Sequence, residues 1–277
     1  MSLTESLQLL RRLFAWKALT AILAVGVIYK ANHSLNYWVA NHWQRAKPWQ
    51  NDRELVLVTG GCSGIGKQIM EDLAKAGVRV VIVDIQELSF PLRTFLTTPQ
   101  KSQRTSGLMI IASNVTFYKA DITSSVHIRH VAEKIRAVHG DPTVLVNNAG
   151  VGYDGTILDE PEAKIRQTFE VNTVSHFLMV REFLPSMIKH NHGHVVTIAS
   201  MASFVALGEM VEYCCSKASA LAFHEGLGQE LRVQYKAPKV RTRYVRSSGG
   251  RVRGSSKVAK YVASFTLSGS KPPWPSH

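Results

Sequence analysis

The sequence predicts an α/β fold with a doubly wound parallel sheet, and three observations support this. Short apolar segments alternate with amphipathic helical segments between residues 54 and 242. The second apolar segment, Val78–Asp84, is apolar in most of its positions, as expected for a parallel strand covered on both faces. A glycine-rich turn joins the first strand to the first helix. A repeated strand–helix–strand order is typical of a parallel sheet with helices on both faces.

The individual elements follow from this periodicity. Strands are predicted at Glu54–Thr59, Val78–Asp84, Val115–Lys119, Val144–Asn147 and His194–Ala199. Helices are predicted at Ile65–Ala76, Ser124–Val138, Glu162–Lys189 and Val211–Gln234. The α/β domain is therefore placed at residues 51–242.

Two stretches break the pattern. Residues 93–113, in the wider polar stretch Pro91–Ser113, form an atypical insert, and residues 243–277 form a basic tail that is disordered or aberrant. We expect neither to belong to the packed core. Each is either a genuine segment of this lineage or an artefact of the gene model, and both alternatives stay open.

The net charge of +13 comes mainly from the end of the chain. From Lys236 onward there are ten Lys and Arg residues and no Asp or Glu, so removing that segment leaves +3. The basicity belongs to one segment, and no nucleic-acid partner is predicted. Three cysteines give neither a disulfide framework nor metal-ligand spacing, which indicates a reducing compartment. His190, His192 and His194 are interpreted as part of a polar loop, and no metal site is predicted.

Residues 1–50 form a separate hydrophobic and aromatic anchor segment. Leu13–Tyr29 is largely apolar, is interrupted by Lys17, and follows Arg11 and Arg12. A spanning helix needs about 20 apolar residues, so this segment either spans a membrane or lies in its interface. A helix packed on the protein's own core is the third alternative. We expect the segment to be retained, because no small-residue cleavage site follows it.

The glycine-rich turn Thr59–Gly66 lies directly between a strand and a helix, where the backbone of a dinucleotide-binding site approaches the pyrophosphate. Asp84 ends the second strand, 18 positions after Gly66, and is placed to bond the adenosine ribose hydroxyls. A carboxylate there repels a 2′-phosphate, and neither Ile85 nor Gln86 supplies a compensating cation. NAD(H) is therefore favoured as the cofactor, with NADP(H) as the alternative.

A catalytic group is predicted at the carboxyl edge of the sheet. Ser200 follows the strand His194–Ala199, and Tyr213 and Lys217 stand four residues apart on the next helix. That spacing places the phenol and the ammonium on one helix face. A free tyrosine has a pKa of about 10, and an adjacent cation favours its phenolate.

These motifs together resemble the short-chain dehydrogenase/reductase family of the Tyr-x-x-x-Lys type, over about residues 54–242. The sequences around these motifs resemble the membrane-associated branch that contains retinol and hydroxysteroid dehydrogenases. The resemblance implies a Rossmann-like fold and a catalytic set of Asn172, Ser200, Tyr213 and Lys217. It implies a cofactor site formed by Gly60, Ser63, Ile65, Gly66, Asp84, Asp121, Asn148, Ala149, Gly150, Tyr213 and Lys217.

The resemblance also implies roles and surroundings. Tyr213 is the proton donor or acceptor, Lys217 lowers its pKa and bonds the nicotinamide ribose, and Ser200 orients the substrate carbonyl. Asn172 holds a water that continues the proton relay. The implied substrate is a lipophilic alcohol, ketone or aldehyde at a membrane surface, on the endoplasmic reticulum or lipid droplets, and the implied assembly is a homodimer.

The sequence departs from the family after Thr242, where the expected Pro-Gly turn, helix and final strand are not recognisable. Two hypotheses therefore compete. The chain is an active oxidoreductase, or it is a catalytically inactive cofactor-binding product that lacks part of the substrate pocket.

Overall fold

The structure, a computed structural model, describes the backbone of residues 3–40, 51, 53–87, 104–105, 108–112 and 114–247. It separates into two compact units, one within Met1–Arg45 and one within Ala46–His277. The two units are described separately.

The first unit is a single helix, α1, Leu3–Ala40, of 38 residues. The segment Trp16–Leu35 has a mean hydropathy of 1.2 and is long and apolar enough to cross a membrane. Its side chains are exposed throughout, with Ile22 69% exposed and Trp16 67% exposed. Among the residues whose side chains the structure describes, this segment includes the predicted apolar stretch from Trp16 to Tyr29.

The second unit is built on an eight-stranded sheet. Its strands are β1 Leu55–Thr59, β2 Arg79–Asp84, β3 Arg104–Thr105, β4 Leu108–Ala112, β5 Val115–Lys119, β6 Val144–Asn147, β7 Gly193–Ser200 and β8 Val240–Ser247. They lie in the order β3-β4-β5-β2-β1-β6-β7-β8, and the six strands from β5 to β8 run parallel. The chain builds outward from β1 to β5 and then returns to β6 on the other side. The direction of winding thus reverses between β1 and β6, where doubly wound sheets form a ligand crevice.

The helices confirm the predicted alternation. They are α2 Gly64–Lys75, α3 Ser125–His139, α4 Glu162–Phe169, α5 Ser175–His190 and α6 Val211–Val233. The predicted helix Glu162–Lys189 is divided by a π-helical segment, Glu170–Val174. Such wide turns commonly occur at functional sites.

Two apolar clusters cover the two faces of the sheet. One joins strand residues such as Leu57 and Leu145 to the helical side chains Phe183 and Leu227. The other joins alternate strand residues to α2, including Ile69. Because β1 and β6 contribute to both clusters, their side chains are buried on both faces, as the apolar strand sequences predict.

Two expectations about irregular segments need correction. Within the insert at 93–113, β4 pairs antiparallel with β5, and β3 pairs with β4. Leu108–Ala112 is apolar and satisfies the backbone groups that β5 would otherwise leave unpaired at the sheet edge. The remainder of the insert lies outside the described residues.

The last strand also runs further than expected. β8 continues to Ser247, five residues beyond the boundary at Thr242, and pairs with β7 along its whole length. Backbone pairing does not require the side chains to be apolar, which explains why the basic composition concealed it. Residues 248–277 lie outside the described part of the chain.

Candidate active site

A cavity of about 570 Å³ opens at the carboxyl ends of β1, β2, β5 and β6. This is the size range of small-molecule and cofactor sites. Ten of the predicted site residues line it: Gly60, Ser63, Ile65, Asp84, Asp121, Asn148, Ala149, Gly150, Tyr213 and Lys217. Gly66, Asn172 and Ser200 lie outside its lining, so their contacts must define their roles.

The glycine-rich turn has the backbone that its sequence predicts. Gly60 adopts φ +66° and Gly64 adopts φ +52°, conformations that favour glycine. A Cβ on Gly66 would collide with the carbonyl oxygen of Gly60 and the side-chain amide of Asn148. Gly66 therefore serves close packing behind the turn, and its neighbours face the cavity. The Ser63 side chain makes no capping bond to α2.

Asp84 is buried, 8% exposed, and it orders the glycine-rich turn. The backbone N–H of Cys62 donates to Asp84 Oδ2 at 2.9 Å, and that of Gln86 donates to Oδ1 at 3.0 Å. Each carboxylate oxygen can accept a further bond, so contact with ribose hydroxyls remains available. Burial and then the Asp84 charge raise the pKa of the Cys62 thiol to about 12. Cys62 is thus kept as an uncharged thiol beneath the turn.

Asp121 lies across the cavity, after β5. Its Oδ1 accepts bonds from both the backbone N–H and the hydroxyl of Thr123, at 2.9 and 2.8 Å. These bonds fix the carboxylate at the cavity wall.

Asn148 joins the ends of β1 and β6. Its amide nitrogen donates to the carbonyls of Thr59 and Gly60 at 2.9 and 3.1 Å. In return, the Thr59 hydroxyl accepts from the backbone N–H groups of Asn148 and Ala149, each at 3.1 Å. The two strands are therefore fastened together at the point where the cavity opens. Thr59 was predicted only as the last residue of a strand and the first residue of the turn.

Asn172 lies in the π-helical segment and is fully buried. Its Oδ1 accepts from the backbone N–H of Val151 at 2.8 Å, and its Nδ2 donates to the Val151 carbonyl at 2.7 Å. Nδ2 also donates to the Ser216 hydroxyl at 2.9 Å. Three hydrogen bonds hold this side chain, so it connects the loop that follows β6 to α6.

Ser200 and Tyr213 meet at the end of β7. The Ser200 hydroxyl accepts from the backbone N–H of Ala202 at 3.2 Å. Burial raises the pKa of Tyr213, and a hydrogen bond with Ser200 opposes that increase. Burial outweighs the effect of Ser200, and the lowering of this pKa by Lys217 that the resemblance implies stays a prediction. Tyr213 lies in the first turn of α6, where the helix dipole favours negative charge.

Lys217 lies one turn below Tyr213, with its Nζ 5.8 Å from the centre of the phenol ring. The side chain is 4% exposed, and Nζ donates to the Ile198 carbonyl at 3.1 Å. Burial lowers the pKa of Lys217 from 10.5 to about 8. Tyr213 and Lys217 therefore lie on one face of α6, as their i, i+4 spacing predicts.

Several residues that support the site were not predicted. Ser203 donates to the Lys217 carbonyl at 2.9 Å and completes a capping box with Ser200. The spacing Ser-x-x-Ser after a strand could have indicated this turn. Glu212, beside Tyr213, is 6% exposed, and no sequence pattern marked it as buried. Among the described residues, no group of three or more His, Cys, Asp and Glu side chains could hold a metal ion.

Comparisons with known proteins agree with this geometry. The family described as short chain dehydrogenase matches residues 54–243. "Dehydrogenase RED2" of Cochliobolus heterostrophus is 39% identical over 228 residues, covering 81% of this chain and 78% of that protein. "Dehydrogenase RED3" of the same fungus is 52% identical over 155 residues, covering 55% of this chain and 79% of that protein. Human "Estradiol 17-beta-dehydrogenase 11" is 36% identical over 178 residues, covering 64% of this chain and 56% of that protein.

A solved structure supports the same assignment. A metagenomic short-chain oxidoreductase in complex with NADP superposes with a TM-score of 0.65, at 27% identity, covering 77% of this chain and 90% of that one. The family match extends over more than half of the chain, and it includes every predicted site residue. The chain belongs to the short-chain dehydrogenase/reductase family, whose members act on hydroxyl groups with a nicotinamide cofactor.

Proposed function

We propose that this chain transfers a hydride between a nicotinamide cofactor and a lipophilic alcohol, ketone or aldehyde. The observation that carries the proposal is that Tyr213 and Lys217 line one end of a cavity large enough for a cofactor, with Ser200 interacting with Tyr213 just outside its lining. The opposite end of that cavity is formed by the glycine-rich turn and Asp84. The distribution matches a ligand with a phosphate at its centre and a reactive ring at one end.

The residues of the turn fit a nicotinamide dinucleotide. Gly60 and Gly64 leave the N-terminus of α2 open to a pyrophosphate, and a Cβ at Gly66 would displace the turn. Asp84 supplies acceptors for ribose hydroxyls and repels a 2′-phosphate, which favours NAD(H) over NADP(H). When bound, the cofactor supplies the hydride chemistry.

Tyr213 is the group that exchanges a proton with the substrate oxygen. Against the effect of burial, Ser200 lowers the pKa of this phenol, and its hydroxyl is the group proposed to orient the substrate carbonyl. Lys217 uses one N–H for the Ile198 carbonyl and keeps two for the ribose and for stabilising the phenolate. Asn172 and Ser216 hold α6 against the cavity loop, so these groups keep their spacing.

A lipophilic substrate at a membrane surface is supported by two features. The apolar segment Trp16–Leu35 of α1 is exposed, and exposed apolar side chains follow Ser200, including Phe204, Val205 and Leu207 at 50–54% exposure. The retinol and hydroxysteroid branch supplies the remaining elements of the proposal. These are association with the endoplasmic reticulum or lipid droplets, an anchor at residues 1–50 ahead of the catalytic domain, and a homodimer.

The experiment is Tyr213→Phe in the full chain, with Tyr235→Phe as a matched control at an exposed tyrosine. Removal of the Tyr213 hydroxyl should lower turnover by about 10²–10⁴-fold or more while cofactor affinity changes little. Lys217→Ala should lower both. Equal turnover in wild type and Tyr213→Phe would overturn the proposed mechanism.

The alternative of an inactive cofactor-binding product predicts a different result. This chain would bind cofactor without turnover, and replacing residues after Thr242 with a family-like Pro-Gly turn, helix and strand would restore activity. That restored activity should again depend on the Tyr213 hydroxyl. Cofactor binding measured by titration, together with turnover in both chains, separates the two functions.

A further inference from the structure

The loop between β6 and α4, residues 151–161, packs directly against the beginning of α6, where Tyr213 lies. A Cβ on Gly152 would stand 2.6 Å from Cδ2 of Tyr213, so the loop backbone contacts the phenol ring. The backbone N–H of Gly155 donates to the Glu209 carbonyl at 2.9 Å. The N–H of Tyr153 donates to Glu212 Oε1 at 3.4 Å. The position of this loop therefore sets one wall of the Tyr213 site.

Two carboxyl groups meet at this junction. Glu212 comes from α6 and is 6% exposed, and Glu160 comes from the end of the loop and lies close enough for the Glu212 charge to raise its pKa. Each has a buried oxygen without a hydrogen-bond partner, Oε1 of Glu160 and Oε2 of Glu212. Ionised carboxylates only accept hydrogen bonds, so these two oxygens can satisfy each other only if one carboxyl group carries a proton.

The charges around the pair do not remove that requirement. Burial, the hydrogen bond with Glu212 and the charge of Glu212 all raise the pKa of Glu160, and the Lys164 charge on α4 offsets them only in part. Lys164 lies over the Tyr153 ring, 4.6 Å from its centre.

The other charged groups of the loop, of α4 and of the beginning of α6 are exposed or interact with other residues. On the loop, Asp159 accepts from Thr156, and Asp154 is exposed. On α4, Glu162 pairs with Arg166 at the surface. Glu209 contributes its carbonyl to the junction, and Tyr213 stands beside Glu212 on α6.

We propose that Glu160 and Glu212 share one proton, and that this shared proton fastens the loop 151–161 to α6 and thereby positions Tyr213. Glu160 and Glu212 are positioning residues, since neither lines the cavity. Their importance for catalysis rests on the function proposed above, but the fastening of the loop does not.

The direction of the pH dependence follows from the raised pKa of Glu160. The folded chain retains the proton at pH values where the unfolded chain has lost it. The stabilising contribution is therefore complete below the ordinary pKa of 4.5 and is lost as pH rises through the folded-state value. Above that value two carboxylates repel each other, and the loop should separate from α6.

The experiment measures hydrogen-exchange protection of the Tyr153 and Gly155 amides in the full chain, corrected for intrinsic exchange, between about pH 5 and pH 8. In the wild type we expect protection to fall with rising pH, by at most about tenfold per pH unit for one released proton. Glu160→Gln supplies a permanent N–H donor to Glu212, so its protection should stay constant over this range. Glu160→Ala should show low protection at every pH, because it leaves the buried Oε2 of Glu212 without a hydrogen-bond donor.

Glu162→Gln is the matched control, because it neutralises an exposed carboxylate two residues away and should follow the wild type. Wild-type protection that does not change with pH would overturn the proposal, and so would Glu160→Gln protection that falls as the wild type does. Neither readout needs turnover, so an inactive chain would refute the proposed function without affecting this test. If the chain is active, the high-pH loss of kcat/KM should be smaller in Glu160→Gln than in the wild type.

Discussion

Because the ammonium of Lys217 is buried, we predict that removing its charge increases the stability of the fold and abolishes function. Its pKa is lowered from 10.5 to about 8 by burial alone. A shift of about 2.5 units corresponds to roughly 3.4 kcal/mol of destabilisation when the group is charged in the folded state. Lys217→Met keeps a similar length and removes the charge.

The expected gain is smaller than that shift, because the Ile198 carbonyl loses the hydrogen bond that Lys217 donates. An unmet hydrogen bond costs about 1 kcal/mol, so Lys217→Met should be more stable than wild type by about 2 kcal/mol at pH 7. It should also have no turnover and weaker cofactor binding. Such a gain in stability on removal of a catalytic group is expected where the burial of a charged side chain destabilises the folded state.

The pH dependence separates this cause from better packing. A depressed lysine pKa means that the folded state releases its proton first, so wild-type stability rises with pH between about 8 and 10.5. Linkage gives a wild-type gain of about 2 kcal/mol between about pH 7 and pH 9.5, which should nearly remove the difference from Lys217→Met. Urea denaturation at both pH values measures it, with the exposed Lys239→Met as control. A difference that is equal at the two pH values would refute the reasoning.

Three further predictions follow from the cavity and the anchor. Asp84→Ala should narrow the affinity difference between NAD(H) and NADP(H), measured by titration of both; tighter NADP(H) binding in the wild type would contradict the assignment. Gly66→Ala should destabilise the fold by about 1–3 kcal/mol and weaken cofactor binding, because its Cβ meets backbone and amide atoms. Gly226→Ala in α6, where a Cβ meets nothing within 4 Å, should instead be stabilising by about 0.5–1 kcal/mol. The full chain should sediment with membranes and a chain starting at Asp52 should not; the same distribution for both would exclude an anchor.

The periodicity of the sequence was sufficient to predict the parallel part of the fold. Strand bounds at Val115–Lys119 and Val144–Asn147 agree with the structure, because short apolar segments between helices have few alternatives once both faces are buried. The edges of the sheet were less predictable. Leu108–Ala112 and the end of β8 are held by backbone pairing with a neighbour, which leaves a weak pattern in the side chains.

The sequence by itself determined which residues form the glycine-rich turn and which pair stands on one face of α6. These features are local, since a turn needs its glycines and an i, i+4 spacing fixes a helix face. Only the tertiary structure decided what surrounds them. It placed Asp84 against the turn backbone, gave Asn172 three bonds, and brought Glu160 beside Glu212 across 52 positions of sequence. Such pairings depend on how the elements pack, and burial, which sets the pKa of Lys217 and Tyr213, exists only after packing.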